Sequence, residues 1–208
     1  MDTRSTAQWI VTIAIILLTL SSPLPAGIVI TYGGNFDLNI PAETGTTKGW
    51  MTDALIEIND QHLIQDLDVR ISLTHTSAFD LQLFLQSPAG TRICLNMYNP
   101  LDEFFEGENY SQTIFDDEAA TSISLAEAPF TGRFKPKDPY LLSTFDGESI
   151  LGSWHLQIYD AFYFNTGTLD SFELMVTNPE PATAILLLLG SALLRLKKPR
   201  TNLKKTPS

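Results

Sequence analysis

Four short runs in the middle of the chain alternate apolar and polar residues with a period of two, and no other feature constrains the fold as tightly. Val69, Ile71 and Leu73 alternate with Arg70, Ser72 and Thr74, and Leu81, Leu83 and Leu85 with Gln82, Phe84 and Gln86. Trp154, Leu156 and Ile158 alternate with His155, Gln157 and Tyr159, and Phe172, Leu174 and Val176 with Glu173, Met175 and Thr177. Neighbouring side chains of a strand point to opposite faces, so each run buries one face and shows the other. No long stripe of period 3.6 accompanies them. Ser87-Pro88-Ala89-Gly90 puts Pro and Gly where a type I turn favours them, and Asp146-Gly147 and Thr166-Gly167-Thr168 supply further breaks. Many short strands punctuated in this way predict an all-β chain folded as an antiparallel β-sandwich. Within it, Gly90 and Gly167 are expected to take positive φ. Trp154 is expected to fill the inter-sheet layer with one partner for its N–H, and Asp80 to accept neighbouring backbone N–H groups.

The chain has 208 residues, room for one domain plus appendages. Its 44% hydrophobic content, with 12 Phe and 3 Trp, is enough to build a core. A net charge of −11 repels phosphate backbones and argues against nucleic-acid binding. A single Cys, Cys94, allows neither an internal disulfide nor a Cys-based zinc site; it is expected to be a small buried apolar residue. The charge is unevenly placed. Residues 1–26 sum to zero, residues 182–208 carry six basic residues and no acid, and residues 27–181 carry 6 basic and 23 acidic residues, a net −17.

Apolar runs border both ends of the acidic block. Residues 9–20, WIVTIAIILLTL, follow a polar start with Arg4 and precede the small, helix-breaking SSPLPAG. That order reads as a secretory signal peptide over 1–26, cleaved near Ala26, with residues 27–34 as a lead into the domain. Such a helix spans about 18 Å, short of the roughly 30 Å of a bilayer core. At the other end, Asn178-Pro179-Glu180-Pro181 precedes an apolar run from Ala182 to Leu194, and Arg195, Lys197 and Lys198 follow at once. Basic residues held on the cytoplasmic side fit a short membrane helix.

This tail, residues 179–208, closely resembles the PEP-CTERM sorting signal of exopolysaccharide-producing bacteria. The resemblance rests on Pro179, Glu180, Pro181, Ala182 and Thr183, then the Leu-rich run and the Arg195, Lys197 and Lys198 cluster. It implies recognition by an exosortase, a membrane protease that removes the tail and releases the protein. The extension from Pro199 to Ser208 departs from the usual pattern, which stops soon after its basic cluster. The expected location is therefore export, a transient membrane anchor, and then the cell surface or extracellular matrix.

Between the signals, residues 35–178 resemble the P domain, or P/Homo B domain, that follows the catalytic domain of subtilisin/kexin-type proprotein convertases. The similarity runs from Asp68 to Thr91 (DVRISLTHTSAFDLQLFLQSPAGT) and through TIFDDEAA at 113–120 and APFTG at 128–132. It continues through FDGE at 145–148, GSWHL at 152–156, Asp160 and TGTL at 166–169, after an opening LNIP at 38–41. The resemblance implies a jelly-roll-like sandwich that supports a neighbouring protease without being one.

The residue inventory agrees with a non-catalytic reading. A Ser/His/Asp peptidase needs a nucleophile in a strained turn, a positioned base and oxyanion donors. Only His62, His75 and His155 are present, and no subtilisin-like sequence surrounds them; His75 is expected to be a hydrogen-bonded strand residue. Acids cluster at Asp102, Glu103, Glu106 and Glu108, at Asp116, Asp117 and Glu118, and at Asp160 and Asp170. Calcium takes six to eight oxygens, often carboxylates, and Asp116, Asp117 and Asp160 are its candidate ligands here; solvated surface is the competing reading. Aromatic residues Phe104, Phe105, Tyr159, Phe162, Tyr163 and Phe164 either present carbohydrate-binding surfaces at the sandwich ends or, for 162–164, fold onto the core. The leading expectation is an exported interaction or structural module. The alternatives are an accessory to a secreted subtilisin-like serine endopeptidase and a carbohydrate-binding or adhesin-like protein that meets exopolysaccharide.

Overall fold

A computed structural model of the chain describes residues 28–44, 49–97 and 107–178. The alternating runs are strands. In chain order the strands are β1 (Ile28–Ile40), β2 (Gly49–Trp50), β3 (Ala54–Ile58), β4 (Asp66–His75), β5 (Leu81–Gln86) and β6 (Arg92–Asn96). They continue with β7 (Tyr110–Phe115), β8 (Phe130–Phe134), β9 (Gly152–Asp160) and β10 (Gly167–Asn178). Three 3₁₀ turns, Ala78–Asp80, Ile123–Leu125 and Leu142–Phe145, complete the regular structure of the described residues.

The strands form two sheets. One runs β1-β10-β4-β7-β8; the other runs β2-β9-β5-β6, with β3 also paired to β9. The alternation decides which face is shared. Val69, Ile71, Leu81, Leu83, Leu85, Trp154, Leu156, Ile158, Phe172, Leu174 and Val176 all have 0% exposure and fill the layer between the sheets. Trp154 packs edge-on to Phe145 at 5.2 Å, and its N–H donates to the Ile150 carbonyl at 3.0 Å. A buried aromatic keeps its apolar contribution only if its polar atom is satisfied, and here both conditions hold. Tyr110 does the same: its ring lies 4.7 Å from Phe130 and its hydroxyl accepts from Asn96 Nδ2 at 2.8 Å.

The structure departs from the sequence reading in four places. The sandwich is antiparallel except for β7 and β8, which run parallel. Parallel neighbours require a crossover of about a dozen residues or more, and residues 116–129 supply it, with the Ile123–Leu125 turn inside. The lead at 27–34 contributes residues 28–34 to β1, which pairs with β10 from Ile28↔Asn178 to Ile40↔Gly167. Gly167 is not among the positive-φ residues, although Gly90 is, at φ +90. Gly167 is needed because a Cβ there would sit 2.1 Å from the Thr74 carbonyl oxygen of the neighbouring strand. The Asp80 carboxylate accepts from the side chain of Asn165 at 2.6 Å, and the local turn bonds are made by the Asp80 backbone instead. Residues 1–26 and 179–208, read from the sequence as a signal peptide and a sorting tail, lie outside the described residues, and so do the two terminal helices expected there. Among the described residues no helix is long and apolar enough to cross a membrane.

Candidate functional site

The end of the sandwich where β4, β5, β9 and β10 turn is organised around a buried pair. His75, the last residue of β4, and Asp160, the last of β9, both have fully buried side chains, and His75 Nε2 lies 3.2 Å from Asp160 Oδ2. The other ring nitrogen, Nδ1, lies 2.7 Å from the Ser77 carbonyl, and the second carboxylate oxygen of Asp160 accepts from the Phe162 backbone N–H at 3.0 Å. His75 is thus the hydrogen-bonded strand residue expected. The pair also fixes the loop that follows β9. Asn165 donates to Asp80 and accepts from Thr76 at 3.1 Å, and the Ala161 N–H donates to the Asp80 carbonyl at 3.0 Å. Between these anchors the loop presents its rings outward: Phe162, Tyr163 and Phe164 are 36%, 53% and 97% exposed. Phe164 holds φ +76, a sterically costly conformation for a bulky residue. The loop does not fold onto the core. Phe104 and Phe105 lie outside the described residues.

The three acids named as calcium ligands do not converge. Asp116 and Asp117 line a surface cavity of about 340 Å³ together with Gln65, Asp66, Asp68, Glu118, Arg133, Ser143 and Asp146. Asp160 belongs to the buried pair instead. Each carboxylate is already engaged. Asp116 is bonded to Arg133 and accepts from the Glu118 N–H at 2.7 Å; Asp117 accepts from the N–H groups of Leu142 and Ser143 at 2.9 and 2.8 Å. Arg133 also meets Asp68 at 2.8 Å, so one guanidinium ties a carboxylate of β4 to one just past the end of β7. The described residues contain no group of three or more His, Cys, Asp or Glu placed to hold a metal ion.

Crowding of like charge shows in the ionisation of this cavity. Burial works against the Asp116 anion, but the bonds from Arg133 and the Glu118 N–H outweigh it and hold its pKa below the usual range. Glu118 is pushed up by burial and then by the adjacent Asp116, and Asp146 by burial and then by Asp66 and Asp117. Asp68 is raised chiefly by burial, against the pull of Arg133. Opposed shifts in neighbouring carboxylates are how active sites separate acid from base. Here Arg133 accounts for the lowered Asp116, and burial with neighbouring carboxylates for the raised Glu118, Asp146 and Asp68.

Peptidase parts can be checked directly. Ser153 Oγ lies 3.5 Å from His155 Nε2, and His155 Nδ1 lies 3.0 Å from Asp53 Oδ2. Ser153 and His155 are alternate residues of β9, in register with Glu57 and Leu55 of β3. A nucleophile needs a strained turn with nearby oxyanion donors, and a ladder strand offers neither. Cys94 is 1% exposed, and burial pushes its thiol up to about 11, as an inert core residue requires.

One arrangement was not anticipated. On the outer face of the second sheet, Trp50 of β2 sits beside its cross-strand partner Tyr159 of β9, ring centroids 4.8 Å apart, and 6.3 Å from Phe84 of β5. The guanidinium of Arg92 lies over the Phe84 ring at 3.7 Å, and its Nε donates to Gln157 at 2.7 Å. Gln157 donates in turn to Asp53 at 3.0 Å. Tyr159 donates its hydroxyl to Glu43, and that bond, followed by burial, pushes its pKa up to about 12. The sequence signal existed: Phe84 occupies an outward position in LQLFLQ, where a solvent-facing strand residue is ordinarily polar.

The fold is a two-sheet β-sandwich with a buried Trp on β9 and a His–Asp pair closing one end. Residues 64–176 match the family model of the proprotein convertase P-domain, and the chain belongs to that family. Among curated proteins it is similar to proprotein convertase subtilisin/kexin type 4 of Mus musculus, 29% identical over 114 residues, 54% of this chain and 13% of that protein. Among solved structures it is similar to the serine protease of Aeromonas sobria in complex with the chaperone ORF2. There the TM-score is 0.46 and the identity 20%, covering 80% of this chain and 29% of that one. Against the A. sobria serine protease on its own the TM-score is 0.44 and the identity 22%, with coverage of 78% and 29%. The chain thus spans well under a third of each of these relatives.

Proposed function

We propose that this protein is an exported, non-catalytic P-domain module that an exosortase sorts to the cell surface or exopolysaccharide matrix, where it acts by interaction. The observation that carries the reading is sequential. A P-domain sandwich ends with β10 at Asn178, and Pro179-Glu180-Pro181, an apolar run and Arg195, Lys197 and Lys198 follow directly. The placement of Ser153 and His155 within a strand paired to β3 supports the non-catalytic part. The test is expression in a host with and without an exosortase, followed by mass spectrometry of the released protein. Loss of the chain beyond the Pro-Glu-Pro region only in the exosortase-bearing host is the expected result; an intact C-terminus in both overturns the sorting reading.

Family membership favours one second reading, in which the domain docks on a secreted subtilisin-like protease in trans. Co-purification with such a protease, and its faster inactivation when this chain is withheld, would replace the matrix role with an accessory one.

A further inference from the structure

We infer that the outer face of the second sheet is a binding platform for a neutral polysaccharide, built from Trp50, Tyr159, Phe84, Arg92, Gln157 and Gln82. Exposed aromatic residues are unremarkable when scattered singly. Here three rings from three adjacent strands meet in one cluster centred on Trp50, with Tyr159 at 4.8 Å and Phe84 at 6.3 Å, and Trp50 itself is 45% exposed. Gln82 is the register partner of Tyr159 and Gln157 that of Phe84, so amides alternate with rings along the same face. A pyranose presents apolar C–H faces and hydroxyl edges. Rings meet the first and planar amides and a guanidinium meet the second, a division of labour found in ligand sites generally.

The platform is held in place before any ligand arrives. Arg92 is fixed by the Phe84 ring beneath it and by Gln157, Gln157 by Asp53, and Tyr159 by Glu43. Side chains ordered in advance lose little rotamer freedom on binding.

Size and charge select the occupant. Aromatic side chains bury on the order of 150–250 Å² each, so three partly covered rings offer a few hundred Å² at most, against roughly 800 Å² per partner in a stable protein interface. That area suits a short stretch of sugar chain. The net charge of −17 over residues 27–181 disfavours anionic polymers, and the platform's one cation, Arg92, is already engaged by a ring and an amide. The inference concerns the purified protein and stands or falls whether or not the tail is removed.

The test is affinity electrophoresis of the full chain, purified in mild detergent, in gels cast with galactomannan, xyloglucan, a β-1,3-glucan or polygalacturonate. Retardation is expected in at least one neutral gel and not in polygalacturonate. Trp50→Ala and Tyr159→Ala should weaken it at least tenfold, and Arg92→Ala several-fold. Tyr159→Phe, which keeps the ring, and Phe164→Ala, on the neighbouring loop, should retain it. Melting curves matching the parent show that the variants fold. No retardation in any neutral gel, retardation in polygalacturonate alone, or an unaffected Trp50→Ala overturns the proposal. So does a concentration-dependent dimer dispersed by Trp50→Ala, which would make a second copy the occupant.

Discussion

Replacing His75 by leucine isolates the polar node at the end of the sandwich. Leucine has a similar size and suits an apolar surrounding, so packing changes little. The loss falls on Asp160, whose carboxylate is fully buried and would keep only the Phe162 N–H. Leaving a buried carboxyl group short of a hydrogen-bond partner costs about 3 kcal/mol. With a urea m-value of about 2 kcal/mol/M for a domain of this size, the unfolding midpoint should fall by about 1.5 M while m stays constant. Asp160→Leu should cost a similar amount, because it strands His75 and removes the acceptor for Phe162. The double replacement removes both members of the pair, leaves only the Phe162 N–H without its acceptor and should cost no more than about 3 kcal/mol, a coupling energy of about 3 kcal/mol against the sum of the single costs. Urea unfolding followed by tryptophan fluorescence reads all four proteins, since buried Trp154 lies on the same strand as Asp160. Single variants that each cost under about 1 kcal/mol, or costs that simply add, would refute the view that the pair holds this end of the fold.

Two further outcomes follow from the acidic cavity. Arg133→Met should cost about 0.5–1 kcal/mol at neutral pH, a modest figure because Arg133 is 50% exposed. The Asp116 pKa is held below its ordinary 3.8, so this stability is present above about pH 4 and lost as pH falls. Thermal melts of parent and variant should therefore draw together as pH falls progressively below 3.8; a gap that stays constant throughout the acid range would show that the loss is packing rather than charge. Calcium would have to displace Arg133 from Asp116 and the Leu142 and Ser143 N–H groups from Asp117. Melting in millimolar calcium should then match melting in chelator within about 1 °C, and a clear rise would return Asp116 and Asp117 to the role of ligands.

How far the sequence shows the fold depends on what each strand touches. The runs in β4, β5, β9 and β10 bury one face against the opposite sheet, which forces strict alternation and makes them readable. β1 escapes that reading for a local reason. Gly33 and Gly34 take φ of +117 and +157, Asp37 takes +59, and the register slips between Asn35 and Leu38. Gly33 is dictated by its neighbour, since a Cβ there would lie 2.2 Å from the Phe172 carbonyl oxygen. Periodicity cannot report a contact whose partner lies more than a hundred residues away. The parallel pair β7–β8 is hidden likewise, because hydrophobic pattern carries no strand direction.

Candidate sites are less legible than strands, and the three acids read as calcium ligands show why. Asp116, Asp117 and Asp160 look alike as letters, yet their neighbours in space are an arginine, two backbone amides and a histidine. A carboxylate declares its residue type, whereas its occupation by intramolecular donors depends on β8, the Leu142–Phe145 turn and β4, all distant in sequence from at least one of the three acids. The aromatic platform carries the opposite lesson. Trp50 lies in a two-residue strand and Arg92 opens β6 on the far side of β5, and only the strand order β2-β9-β5-β6 brings them to one face. Tyr159 stands among the aromatic candidates read from the sequence, and Phe84 is the further signal, an aromatic on the polar side of an alternating run. A misfit of that kind marks a position where burial does not explain the residue, and a surface role becomes the economical account of why a ring stands there.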